Sequence, residues 1–572
     1  MKLVDRLFSR IEGLHASDRM LLKLFLGLTL ASMVWLFAAW SKGMSVAIPR
    51  ASGAITEGII GTPRFTNPIL AVTTADKDLS SVVYAGLMKL GKNGSIEPNL
   101  AESLTVSDDG LTYNIILKEG LTFHDGTPLS VNDVIYTISA IQDPMVKSPL
   151  RGNWDGVTLE YVSDREMNFV LPQPYAPFVE NLTVGIVPKH LWEFVTPEEM
   201  PFSTLNTNPV GAGPYMITGS TQDDSGIPTS YTLVPFPKYH EGPPHITELT
   251  FRFYPNAEAI VAALLAQEIT SAAGLDATAL ASVMEGNDTY ALFRTPLPKT
   301  FALFFNQNKN PALRDLAVRR ALDIAIDRPA LVTHVLGSYG YPIDGPLPPG
   351  FGFETTYTAP TTTLSRADEA REILRKGGWR MNEETGLWEK KLGDEMTELK
   401  LSLSTAQNPT LEATTELIST SWSDIGIPVE VKKFEQSDLV QSVIRPREFE
   451  TILFGTTIGR ELDLYSFWHS SQRTDPGLNI ALYANISTDA ALADTRSKVS
   501  FEERKGSYER FAAEFRNDLP ALFLYVPEFT YILPKDIHDI SITRLAQPAE
   551  RFSTLPHWYM DTESVWPFFV KN

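Results

Sequence analysis

From Leu24 to Trp40 the sequence LFLGLTLASMVWLFAAW carries no charge, and no other stretch restricts the fold so strongly. About 17 apolar residues lie near the lower limit for a helix crossing a hydrocarbon core. Extending the run back to Met20–Leu22 brings it close to about 20, with Lys23 able to snorkel toward the interface. Lys2, Arg6, Arg10, Arg19 and Lys23 precede the run, whereas Lys42 follows it, a bias that places the N-terminus in the cytoplasm and the rest outside. A cleaved signal peptide is the competing reading, because Ala38-Ala39 could feed a cleavage site. The length of the apolar run and of the basic segment before it favours an uncleaved anchor. The expected organisation is a cytoplasmic segment at 1–19, a transmembrane anchor at 20–40 and a large outer part at 44–572.

That outer part is too long for one compact core, so two or three packed units are expected. Forty prolines and 36 glycines are spread along the whole chain, as in a turn-rich α/β protein. The formal charge of −20, from 69 acidic and 49 basic residues, repels polyanions and argues against a nucleic-acid partner. There is no cysteine. Disulfides, thiolate metal sites, cysteine nucleophiles and a lipidated N-terminal cysteine are all excluded, and any anchor must be polypeptide.

Hydrophobic periodicity predicts strands at 113–117, 167–171, 231–235, 250–253 and 301–305, and helices at 130–141, 257–268, 313–326, 365–376, 411–425 and 500–516. In the 313–326 helix, Leu313, Leu316, Ala317, Ala321, Ile324 and Ala325 fall on one face, which reads as core. Ser107–Gly110 and His124–Pro128 are turn signals, and Ser130-Val-Asn-Asp133 is a capping box with Asp in place of Glu. His124 and Asp125 are read as turn residues. In the segments 208–215 (NPVGAGPY) and 345–350 (GPLPPG), glycine supplies permissive dihedrals and proline fixes φ. No Gly-x-Ser-x-Gly, Walker loop or His-Glu-x-x-His motif is present; His240-Glu-Gly-Pro-Pro-His245 has one residue too many and two helix-breaking prolines. An enzyme is not expected.

The segment 96–138, IEPNLAESLTVSDDGLTYNIILKEGLTFHDGTPLSVNDVIYTI, resembles the signature region of the family 5 solute-binding proteins, the oligopeptide, dipeptide and nickel receptors of bacterial ABC importers. The resemblance continues through NPVGAGPY (208–215), FFNQNKNPALRDLAVRRALDIAID (304–327), the loop at 337–350, Gly377-Gly-Trp379, Ile425-Gly-Ile427, LDLYSFWHSSQ (462–472) and NDLPALFLYVP (517–527). It spans roughly residues 55–535. It implies a periplasmic-binding-protein-like fold of two α/β lobes, joined by two crossing strands, that close like a hinged clamp. By that resemblance the first lobe comprises about 44–88, 209–300 and 532–572, an inserted subdomain about 89–208, and the second lobe about 301–531. The expected function is delivery of oligopeptides to ABC permease subunits by a monomer that needs no cofactor. The alternatives are a tethered chaperone using the same clamp, or a receptor for a nickel complex or a sugar.

Peptide receptors of this family resemble one another in a G-W-x-x-D pattern whose aspartate captures the ligand's α-amino group. The corresponding stretch is Gly455-Thr-Thr-Ile-Gly-Arg-Glu-Leu-Asp463. No tryptophan follows Gly455, and Gly459 or Arg460 stands at the acidic position. Glu461 and Asp463 are the nearest acids and therefore the candidate counter-charges, with a solvated or scaffolding role as the alternative. Trp468, His469 and Asn306, which follows the aromatic strand at 301–305, complete the candidate ligand-binding set. For Trp468, core packing is an equal alternative.

Overall fold

A computed structural model describes residues 15–353, 357, 364–498 and 500–569. The chain divides into two compact units, Met1–Gly53 with Tyr559–Asn572, and Ala54–Trp558.

The smaller unit is built on one uninterrupted helix, Ala16–Met44. At about 1.5 Å per residue it is longer than the roughly 30 Å of a hydrocarbon core. Leu24, Phe25, Trp35 and Phe37 are all exposed on it. The helix is long and apolar enough to cross a membrane. Just beyond it, Val46–Arg50 pairs antiparallel with Asp561–Val565, and the rings of Trp40 and Trp566 meet edge-on at 5.2 Å.

The larger unit is organised by a twelve-stranded mixed sheet. From one edge run Val429–Phe434, Leu401–Ala406, Thr451–Thr457, Lys299–Phe305 and Ala521–Pro534. Ser271–Ala273, Ala54–Ile60, Glu248–Tyr254, Pro228–Pro235 and Tyr215–Gln222 follow to the other edge. The long strand Ala521–Pro534 belongs to both halves. Its first part pairs with Lys299–Phe305 and its second with Tyr290–Pro296. The stretches 290–305 and 521–534 thus run antiparallel from one half to the other, which makes two α/β lobes joined by two crossing strands. A separate four-stranded antiparallel sheet is inserted in the first half. Its strand Thr112–Leu117 buries Tyr113, Ile115 and Leu117 in the alternation expected of one buried face. The helix that follows, Val131–Gln142, opens on the capping box: Ser130 Oγ accepts from Asn132 N, and Asp133 accepts from Ser130 N at 2.9 Å.

Two expectations are corrected. The 313–326 helix is broken at Asp315, giving a 3₁₀ turn Pro311–Arg314 and an α-helix Leu316–Ala325. Asp315 caps the second piece by accepting from Ala317 N, and its other oxygen accepts from Trp379 Nε1 and Lys390 Nζ. The new start rotates the buried face onto Val318, Arg319, Ala321, Leu322 and Ala325. Gly211 and Gly213 do not have positive φ. A Cβ on Gly211 would lie 2.0 Å from the Val83 carbonyl oxygen, and one on Gly213 would lie 2.6 Å from that of Val82. Close approach of two backbones, not dihedral freedom, requires these glycines.

Three charges sit in the core of the first lobe. Arg551 reaches Asp78 at 2.7 and 2.8 Å and Glu57 at 2.8 Å, and all three side chains are at most 2% exposed. Glu57 also accepts from Ser271 Oγ and Tyr531 Oη. One guanidinium therefore ties the strand Ala54–Ile60 to the helix Thr74–Val83, and Tyr531 brings in the crossing strand.

Candidate functional site: the cleft between the lobes

A cavity of about 640 Å³ lies between the lobes. The helix Thr74–Val83 forms one wall. It is held at its start by a capping box, in which Thr73 accepts from Asp76 N and Asp76 accepts from Thr73 N. Asp76 also accepts from the N–H groups of Arg64, Phe65 and Val72, folding the preceding loop around its carboxylate. Ala75, Leu79, Val82 and Val83 face the core, which leaves Lys77, Ser80 and Ser81 on the cleft side. A second wall comes from the inserted subdomain, with Asn153, Trp154, Tyr175 and Glu180. Trp154 is fixed there by edge contact with Phe178 at 5.5 Å. The opposite lobe contributes Thr457, Gly459, Asp463, Ser466 and Phe467, and the C-terminal part Gln547, Glu550 and Phe552. A second cavity of about 550 Å³ lies along the crossing strand, lined by Leu297, Tyr339, Thr410 and 527–530 from one side and Ile60, Asp78 and Arg551 from the other.

The lobes meet across the larger cavity through charged groups. Arg460 is 2% exposed. It donates to the carbonyl of Gly94 at 2.9 Å and to that of Arg544, and it is paired with Glu550. Glu180 accepts from Arg460 N at 2.9 Å. Tyr175 Oη donates to Asp463 at 3.3 Å, and Asp463 is held by Arg496, with Nε at 2.8 Å. Burial pushes the Glu180 and Glu550 carboxyls above the usual carboxylate range, against the pull of Arg460 on both.

Of the five residues selected from sequence, Asp463 lies on the cleft wall. The other four line neither cavity. Glu461 is paired with Arg504 at 2.7 Å. Asn306 is 1% exposed, donates to the Arg447 carbonyl at 2.8 Å and accepts from Asn308 N. Trp468 is 2% exposed among Phe304, Phe515 and Phe523. His469 stacks on Tyr465 at 4.0 Å and accepts from Ser471 N. Sequence reasoning passed over Glu180, Glu550 and Lys77, which come from segments far from the motif. The available signal was the missing acid at position 459 or 460: a Cβ on Gly459 would lie 3.0 Å from Glu180 Oε2. Glu180 fills the space into which a longer residue at 459 would project. His124 is part of the scaffold, as expected of a turn residue. Its Nδ1 accepts from Gly211 N, its Nε2 donates to the Gly213 carbonyl at 3.0 Å, and burial depresses its pKa to about 4.

The family model for bacterial extracellular solute-binding proteins, family 5, matches residues 95–477, well over half of the chain. The chain belongs to this family. As a family 5 protein it is a binding receptor and not an enzyme. Over 506 residues it is 26% identical to the oligopeptide-binding protein AppA of Bacillus subtilis, covering 87% of this chain and 90% of AppA. The solved structure of that AppA in complex with a nonapeptide superposes with a TM-score of 0.68 at 25% identity, covering 90% of this chain and all of AppA. The substrate-binding protein CtaP of Listeria monocytogenes gives a TM-score of 0.74 at 24% identity over 89% of this chain and all of CtaP. These likenesses establish the two-lobed fold of the family 5 receptor.

Proposed function

We propose that this protein is a membrane-anchored extracytoplasmic receptor that captures oligopeptides between its lobes and presents them to an ABC importer. The observation that carries the reading is the cleft: a cavity of about 640 Å³ walled by both lobes and by the inserted subdomain, within the usual size range of ligand pockets. The likeness to AppA, an oligopeptide-binding protein solved with a nonapeptide, supports peptides as the ligand class. Hydroxyls, amides and apolar rings on the wall suit a ligand of variable side chains held largely by its backbone. Retention of the helix as an anchor is supported by its packing, because Trp40 meets Trp566 and the strand after the helix pairs with the C-terminal strand. The proposed lobe boundaries are those expected from sequence, with the division near residues 300 and 531.

Capture by closure is measurable because the chain has no cysteine of its own. Spin labels on Asp224→Cys and Glu430→Cys, both exposed and near opposite edges of the large sheet, report the separation of the lobes. Adding a pool of free peptides to the full chain in detergent should shift the distance distribution to shorter values. An unchanged distribution at saturation would sink the clamp mechanism.

A further inference from the structure

The rings at the outer end of the long helix do not stop where the helix stops. Phe37 and Trp40 lie 6.2 Å apart on it, Trp40 meets Trp566 at 5.2 Å, and Trp566 meets Phe568 at 5.8 Å. Four rings therefore run in a continuous row from the apolar stretch of the helix onto a segment from the other end of the sequence. Trp566 is half-buried, but Phe568 is 72% exposed. Apolar rings left uncovered in a cluster mark a surface that meets something other than water.

The place of the row follows from the strand pairing beyond the helix. Val46 is opposite Val565, and Arg50 is opposite Asp561. The first strand leaves the helix and the second returns to it, so the chain after Val565 runs on past the helix end at Met44. Trp40 lies about one turn before that end, and its contact with Trp566 shows the returning segment reaching that turn. The two-stranded ribbon is also graded in polarity. Its far end carries Arg50, Asp561 and Glu563, all exposed, with Ser52 Oγ donating to Asp561 at 2.9 Å. Its near end carries Val46 and Val565 and continues into Trp566, Pro567 and Phe568. An apolar end at the helix and a polar end a strand's length away match the two sides of a water–bilayer boundary.

We propose that Trp566 and Phe568 make a second contact with the membrane, at the headgroup level of its outer side, where they extend the aromatic girdle that Trp40 begins. Tryptophan favours that level because its ring is apolar and its N–H is not. The contact rests on the reading of the helix Ala16–Met44 as a retained anchor and adds to it a lipid-facing role for residues 566–568. A lipid surface is favoured over a protein partner because the row begins on the membrane-crossing helix itself. Phe37 and Trp40 are both exposed there, and the bilayer that covers them reaches the segment that Trp40 touches.

The test uses the full chain in phosphatidylcholine bilayer discs. The sequence has no cysteine, so Leu28→Cys, Glu563→Cys and Pro567→Cys can each carry a single nitroxide. Collision with oxygen, which concentrates in lipid, is compared with collision with a water-soluble nickel chelate. The label at 28 should read hydrocarbon and the label at 563 water. At 567 the oxygen-to-nickel ratio should be several-fold higher than at 563. Adding Trp566→Ser and Phe568→Ser to Pro567→Cys should return the ratio to the value at 563. Phe568→Ser alone, which leaves the Trp40–Trp566 contact in place, supplies the comparison if the double variant loses the ribbon. A water-like ratio at 567 with hydrocarbon at 28 overturns the contact and leaves the anchor standing, as does a ratio at 567 that the serine variants leave unchanged. Dipolar broadening at 567, the sign that a second copy and not lipid covers the rings, overturns it too. A water-like label at 28, or a chain from which the helix has been removed, overturns both.

Discussion

At the scale of single residues, the molecule is held by buried charges whose partners come from distant parts of the chain. Arg551 is the clearest case. Removing its guanidinium while Glu57 and Asp78 remain buried leaves carboxylates without a counter-charge, which costs about 3–5 kcal/mol. Arg551→Met should therefore lower the stability of the outer part by that amount in a chemical denaturation series. A loss below about 1 kcal/mol would show that water or a rearranged neighbour replaces the arginine. None of this triad could be read from sequence, since residues 57, 78 and 551 are ordinary charged positions until the fold joins them. The same limit applied at the cleft. The missing acid was visible at Gly459 or Arg460, but that Glu180 fills the space beside Gly459 depends on a short helix far back in the chain. Asn306 and Trp468 drew attention because polar and aromatic residues suit a ligand, yet the fold uses one to brace a turn and the other to fill the core.

At the scale of elements, the sequence was far more informative, because local periodicity and capping act over a few residues. The strands expected at 113–117, 167–171, 231–235, 250–253 and 301–305 all form, with ends shifted by at most three residues. The helix at 313–326 broke where one aspartate had more to gain from Trp379 and Lys390 than from continuing the helix. The most consequential element is Ala16–Met44. Its basic flank predicts that the outer part is exposed on the far side of the membrane. Protease added to spheroplasts or intact protoplasts should digest the outer part and leave a fragment containing the N-terminal segment. Protection of the outer part with cleavage at the N-terminus would reverse the orientation, and a mature N-terminus near Ser41 would show that the helix is removed.

At the scale of the whole molecule, two lobes share one sheet through the stretches 290–305 and 521–534, so that movement about a few backbone bonds near residues 297 and 527 would open or close the entire cleft. Arg460, Glu180 and the Tyr175–Asp463 contact bridge the lobes across the cavity. The lobed fold was legible from the long resemblance to the family 5 receptors, whereas the ligand was not, because the cleft wall is made of side chains from distant segments that only the fold brings together. The central claim is that this cleft holds peptides. It is tested most directly by native mass spectrometry of the full chain, purified in detergent without added ligand. The account predicts a heterogeneous set of bound masses that fragment as peptides of several lengths. A single bound species that does not fragment as a peptide would contradict it.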